Sequence, residues 1–355
     1  MTPARASQPA LHSRPSVADS LHLAPPSARR RVCCAPRPVT GARRSLLFWL
    51  LMVTLSLVSC TSVRPATKIG LIAPFEGLYR RNGYEALAAM RAAIAETPSG
   101  AVGILPLALD DGGDPARGQR AMQKLLASKD VGAIIGPLSP TLPAAIDAAT
   151  TTAAPPLLPP YAMPGMAGAV TTGDADAWAV GLVQAVAGHV VAQGAQTLVV
   201  AGWTPGWPDY PAQTWSALAG LPVRLSDDPA TVGRNESVMW LGAPDAGATY
   251  LAALRAVQAD TPFWLGSAGG DPVFAERAES RKHVYWVVWT DDDYNGWAAT
   301  HTPSTPSAYL VYRATQEAVR QATGQASATQ PSPTWRVQAY AFGVAGETVP
   351  FSPAP

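Results

Sequence analysis

The chain has 355 residues, enough for two lobes of roughly 100–150 residues each, with 48% hydrophobic and 14% charged side chains and a formal net charge of +1. That composition excludes an intrinsically disordered chain, and the 35 Pro and 30 Gly residues point to many short connections. Eight of the 26 Lys and Arg side chains fall within residues 1–59 beside a single acid, Asp19, so the remainder is net acidic and has no electrostatic footprint for nucleic acid.

Residues 1–42 are rich in Pro, Ala, Ser and Arg without hydrophobic periodicity, and no fixed structure is expected of them. Arg43-Arg44 precede an apolar run from Ser45 to Val58 that is shorter than the ~18–20 residues a membrane span needs, which reads as the core of an export signal. The Arg pair is a basic flank of that signal and also resembles part of a twin-arginine signal. Leu57-Val58-Ser59-Cys60 resembles a bacterial lipobox, which implies that Cys60 is the lipidated first residue of the mature chain and that the body is extracytoplasmic and membrane-anchored. Residues 1–59 are then a signal region and 60–66 a linker. Cys33 and Cys34 lie before Cys60, so the mature body holds no second cysteine for a disulfide or a Cys-based metal site.

Strands and helices alternate from there on. Lys68–Ala73 reads as a strand, Gly83–Glu96 as a helix, and Val102–Leu109 as a second strand. Asp114-Pro115 is an N-cap followed by a first-turn proline, predicting a helix to about Ser128 with Ala121, Leu125 and Leu126 on its buried stripe. Strands at Val131–Ile135 and Leu157-Leu158 flank a helix expected over Thr141–Thr150. The pattern restarts with helix Ala175–Gln193, strand Thr197–Ala201, helix Ala212–Leu218, strand Val238–Leu241, helix Ala246–Ala259, and strands Phe263–Leu265 and Val284–Trp289. Helix Ser307–Ala322 and strand Trp335–Phe342 follow. Short continuous apolar runs separated by helices are the signature of parallel sheets covered on both faces. The fold class is therefore α/β, with two doubly wound, Rossmann-like lobes and a ligand cleft between them at the carboxyl ends of the strands.

Three blocks in order, Lys68–Gly77, Leu109–Ala116 and Val131–Ser139 leading to Ala154–Pro159, resemble the type I periplasmic binding proteins of the leucine/isoleucine/valine-binding group. The resemblance implies a lobe of residues 67–172 plus 292–325 and a second of 173–291 plus 326–355. It also implies a small-molecule solute, a membrane ABC permease as partner, a monomer, and no cofactor. By the same resemblance the first lobe holds a ligand carboxylate with hydroxyls, here Ser139 and Thr141 flanking Pro140, and with the Tyr161-Ala162 segment, where Met163 replaces a Thr. The second-lobe acid that would pair with an ammonium falls at Ala268, with Asp271 three residues on. Aromatic residues fit the cleft better: Phe75, Tyr79 and Tyr161 from the first lobe and Trp207 from the second, although most of the 11 Trp are expected to pack cores. The expected site is thus Phe75, Tyr79, Ser139, Thr141, Tyr161, Ala162, Trp207 and Asp271.

Two other function classes compete. An enzyme is disfavoured because His189, His283 and His301 are far apart and lie in no nucleophile-elbow, HExxH or paired-carboxylate motif. Asp110, Asp111 and Asp114 are expected to be structural rather than metal ligands. The Asp291–Asp293 run lacks the Gly and terminal Glu of a calcium loop and is expected to be a solvated interlobe loop. A ligand-sensing lipoprotein, or one that regulates cell-wall enzymes, stays open on the same fold.

Overall fold

The computed structural model describes residues 66–100, 102–138, 155–160, 175–203, 209–325, 335–342 and 348–351. The expected signal region (1–59), Cys60, the helix expected over Thr141–Thr150, and the candidate residues Ser139, Thr141, Tyr161, Ala162 and Trp207 lie outside these. All the described residues belong to one compact unit, Val63–Pro355.

In the first lobe, β1 (Ala66–Ala73), β2 (Gly103–Asp110), β3 (Val131–Ile135) and β4 (Leu157–Leu158) form a parallel sheet in the order β2-β1-β3-β4. Both faces of β1 are buried, which is why its sequence is a run of apolar residues rather than an alternation. Ile69, Leu71 and Ala73 face the core shared with helix α1 (Arg80–Glu96), while Ile72 faces helix α2 (Pro115–Leu126) with Ala121, Met122 and Leu125. Met122 therefore takes the buried position expected of Leu126, which is only partly covered. Gly70 lets α2 approach, since a Cβ there would lie 2.8 Å from Leu125 Cδ1; adding one should overpack the core by about 1–3 kcal/mol.

The second lobe contains helix α3 (Ala175–Ala192), β5 (Thr197–Ala201), helix α4 (Ala212–Ala219), β6 (Val223–Leu225), β7 (Glu236–Trp240), helix α5 (Pro244–Val257) and β8 (Phe263–Leu265). Helix α6 (Pro272–Arg277) and β9 (Val284–Thr290) follow. The strands here alternate their cores. Val199, Val238 and Phe263 pack on the α5 side, and Leu198, Met239 and Trp264 pack on the α3 side.

After β9 the chain forms helices α7 (Tyr294–Thr300) and α8 (Pro306–Ala322), and α8 lies against α1 and β3 of the first sheet. The chain then re-enters the second sheet as β10 (Arg336–Phe342) and β11 (Thr348–Pro350), giving the order β11-β10-β9-β8-β7-β5-β6. β10 runs antiparallel to β9 and β11 to β10, while the other pairs are parallel.

The crossing out of β9 differs from the solvated loop expected. Asp292 and Asp293 are exposed, but Asp291 is 2% exposed and accepts a hydrogen bond from the Tyr309 hydroxyl and one from the Asp293 N–H at 3.1 Å. Arg313 stands 3.5 Å from Asp291 and 3.3 Å from Asp293, and Arg336 of β10 pairs with Asp292 at 2.9 Å. A buried carboxylate needs such partners, and here they fasten the crossing strand to α8 and β10.

Candidate functional site

The carboxyl ends of β1, β3, β5, β7 and β8 carry the loops in which a ligand site of such a fold is built. In the first lobe two loops are tied together by Asp110, whose Oδ1 accepts the backbone N–H groups of Phe75 at 2.6 Å, Glu76 at 3.2 Å and Gly112 at 3.0 Å. Asp111 is fully buried, with one oxygen accepting from Gly113 N–H at 2.8 Å and the other without a hydrogen-bond partner. Burial, with the charge of Asp110 beside it, pushes its carboxyl up to about 6. Asp114 caps α2 through the Arg117 N–H at 2.8 Å, ahead of Pro115, as the sequence predicts. All three acids thus organise backbone, and among the described residues no group of three or more His, Cys, Asp or Glu could hold a metal ion.

Phe75 is half-buried against the core and meets exposed Tyr84 edge-on, with ring centroids 5.6 Å apart. Gly83 allows the start of α1 to press on this loop: a Cβ there would lie 2.0 Å from the carbonyl oxygen of Pro74. The first residues of α1 are thereby held against the end of β1, pointing their polar side chains at the second lobe.

Tyr79, directly before α1, donates its hydroxyl to Asp245 Oδ1 at 2.6 Å, and Asp245 lies in the first turn of α5. Burial and this bond to a carboxylate raise the phenol far above its ordinary value. Asn82 donates its amide to Asp271 Oδ2, while Asp271 Oδ1 caps α6 by accepting from the Val273 N–H at 2.8 Å. Arg81 reaches Glu276 at 3.5 Å and Glu85 at 3.0 Å. Asp271 is 7% exposed, and its carboxyl is pushed up to about 6, chiefly by burial, with the charges of Glu85 and Glu276 adding to it. Asp271 is therefore both a helix cap and an interlobe contact.

Beside this contact is a small recess lined by Asn82, Glu85 and Ala86 of α1, Leu138 after β3, and Ser307, Ala308 and Val311 of α8. Glu85 is held there by the Thr305 hydroxyl at 3.1 Å as well as by Arg81. Its lining is mixed, with a carboxylate, an amide and a hydroxyl over an apolar floor.

The second-lobe aromatics after β5 divide. Trp203 and Tyr210 pack on the buried Trp215 at 5.4 and 5.3 Å, and Trp207 lies outside the described residues. Trp178, Trp215, Trp240, Trp264, Trp286 and Trp297 are buried, in keeping with most tryptophans serving the cores. His189 stacks on Trp264 at 5.2 Å, and burial lowers its basicity. His301 pairs with Glu96 at 3.0 Å and stacks on Trp297, and exposed His283 stands 3.8 Å from Asp260. The three histidines belong to three separate neighbourhoods.

Among the candidates that are described, the structure brings Tyr79 and Asp271 to one interlobe edge and leaves Phe75 on the loop beneath them. Sequence reasoning missed Asn82, Asp245, Arg81 and Glu276. Asp245 had a signal, an acid right after Pro244 at a helix start beyond a strand; Asn82 and Arg81 had none beyond their place in a helix.

No protein-family model matches the sequence, and no curated protein matches it. Solved structures do. The chain is similar to a leucine-binding protein from Thermotoga maritima, at 15% identity and a TM-score of 0.62, over 81% of this chain and 98% of that one. It is similar to a possible leucine/isoleucine/valine-binding protein from Rhodopirellula baltica at 14% identity and a TM-score of 0.57, over 82% and 98%. It is also similar to an ABC transporter substrate-binding protein from Desulfitobacterium hafniense in complex with Leu, at 13% identity and a TM-score of 0.56, over 81% and 100%. With the two mainly parallel sheets and the crossing after β9, these likenesses establish that the chain has the type I periplasmic-binding-protein fold.

Proposed function

We propose that the chain is an extracytoplasmic solute-binding lipoprotein of an ABC transporter, anchored through Cys60, that takes up a small molecule between its lobes and presents it to a membrane permease. The observation that carries this reading is the fold itself, two mainly parallel sheets of the kind seen in the solute-binding proteins it resembles, in which ligands sit beyond the carboxyl ends of the strands. The relatives in structure are named for leucine, for leucine, isoleucine and valine, and for ABC transport, which supports a solute of amino-acid size.

The ligand contacts are assigned to Phe75, Tyr79, Ser139, Thr141, Tyr161, Ala162 and Trp207, with Asp271 at the edge. Asp271 already accepts from Asn82 and Val273, so an incoming ammonium has to compete for it. That favours an uncharged or weakly polar solute such as an amide, held by stacking and apolar contact, over a zwitterionic amino acid. A screen of amino acids, amides and small carboxylates by thermal shift tests the reading. A ligand at 100 times its Kd stabilises by about 2.7 kcal/mol, a shift of several degrees. No shift with any class, in a protein that unfolds cooperatively, overturns it.

A second reading, a sensor or a regulator of cell-wall enzymes, is favoured by the replaced clamp positions Met163 and Ala268. Neighbouring permease and ATPase genes support transport, and their absence supports the regulator.

A further inference from the structure

The start of α1 reaches across to the second lobe three times within four residues. Tyr79 donates to Asp245 at 2.6 Å, Arg81 stands 3.5 Å from Glu276, and Asn82 donates to Asp271. We propose that these contacts form an intramolecular clasp that closes the lobes in the absence of solute, making the closed form the resting state of the protein.

The acceptors are pre-set. Asp271 is fixed by capping its own helix, and Asp245 sits in the first turn of α5, so closing requires little reordering on the second-lobe side. The donors are pre-set too, because Gly83 packs α1 against the Pro74 carbonyl and leaves residues 79–82 no room to retreat. Both principal contacts join a neutral donor to a carboxylate, and Asp271 is nearly dry, which is where such bonds are strongest. Removing each one shifts the open-to-closed ratio by roughly tenfold.

The clasp also has a preferred pH direction. Tyr79, Arg81, Asn82 and Glu85 of the α1 segment face Asp271 from one side, with Asp245 of α5 and Glu276 of α6 on the other, and Arg81 is the one cation named in this set. Protonating Asp271 relieves the crowding of negative charge but turns its bond with Asn82 from charge-assisted to neutral, and that bond favours the ionised carboxyl. The Asn82 contact therefore loosens in mild acid.

The proposal rests on the cleft lying between the lobes but not on any particular solute, so its test uses none. In the full-length chain in detergent, Cys33, Cys34 and Cys60 are changed to Ser and spin labels are placed at Arg91→Cys in the first lobe and Glu279→Cys in the second, both exposed positions. Pulsed electron–electron distance measurement should give one narrow, short population without solute. Tyr79→Phe with Asn82→Ala should move most of it to longer, broader distances, and Asn82→Asp, which sets two carboxylates face to face, should do so at pH 7.5 and less at pH 5. A parent distribution already as long and broad as the double variant's, or a double variant that stays as short as the parent, overturns the clasp. Either outcome leaves the solute screen unaffected, and circular dichroism of each variant shows that its lobes are folded.

Discussion

Asp271→Asn tests the electrostatics of the lobe edge most directly. The aspartate is 7% exposed and its carboxyl is raised from 3.8 to about 6, so in the folded protein it gives up its proton with difficulty. A raised carboxyl means that the folded state binds the proton more tightly than the unfolded one. The associated stability is fully present below about pH 3.8 and is lost as pH rises through 6. A shift of about two units corresponds to about 3 kcal/mol between the two ends of that window. Asparagine removes the titration while keeping the cap, because its amide oxygen accepts from Val273, and Asn is as good a cap as Asp. The Asn82 amide turns to offer its oxygen in return. Urea unfolding followed by tryptophan fluorescence should then show the variant gaining relative to the parent at pH 7.5, with the advantage shrinking by about 3 kcal/mol towards pH 4. Asp111, also raised to about 6, titrates in both proteins and cancels in the difference. A parent-to-variant difference that stays flat from pH 7.5 to 4 would refute the assignment of a buried, strained charge at Asp271.

Three further outcomes are expected. Asp114→Ala should cost about 1 kcal/mol by removing the cap on the Arg117 N–H, and urea midpoints with and without chelator should fall equally. Cys60→Ala should move the protein from the membrane fraction to the soluble extracytoplasmic fraction; unchanged retention and unchanged apparent mass count against lipidation. Trp207→Ala should weaken solute binding by roughly 1–3 kcal/mol in calorimetric titration, the scale of one buried aromatic contact, and an unchanged affinity removes Trp207 from the site.

Much of the fold was legible because its strands are buried on both faces. Lys68–Ala73, Val131–Ile135 and Thr197–Ala201 stand in the sequence as apolar runs, and each is a strand within a residue or two. What was missed is short. β6 and β11 have three residues each, α6 has six and α7 seven, too few for a periodicity to declare itself. The start of α6 was nevertheless written in the chain: Asp271-Pro272 repeats the cap signal of Asp114-Pro115, read correctly for α2. The family register drew attention to Asp271 as a partner for a ligand, and the local rule that makes it a cap went unapplied. The burial of Asp291 was hidden for another reason, since it depends on Tyr309 and Arg313, which only the return of α8 brings near.

The site was less legible than the fold because its contacts are between lobes. The residues that meet at the edge are separated by 166, 189 and 195 positions, and no spacing rule within one element reaches so far. Yet the segment that makes them is odd on its own terms. From Gly83 onward α1 buries small residues, Ala86, Ala89 and Ala93 with Met90, so that α8 can lie close. Its opening Tyr79-Arg80-Arg81-Asn82 is polar and bulky by contrast, and as the start of a helix placed at the end of β1 it can only face the other lobe or water. Those residues are committed to the second lobe by geometry rather than by pattern. The chemistry of the interlobe edge is therefore set by what the protein binds in itself.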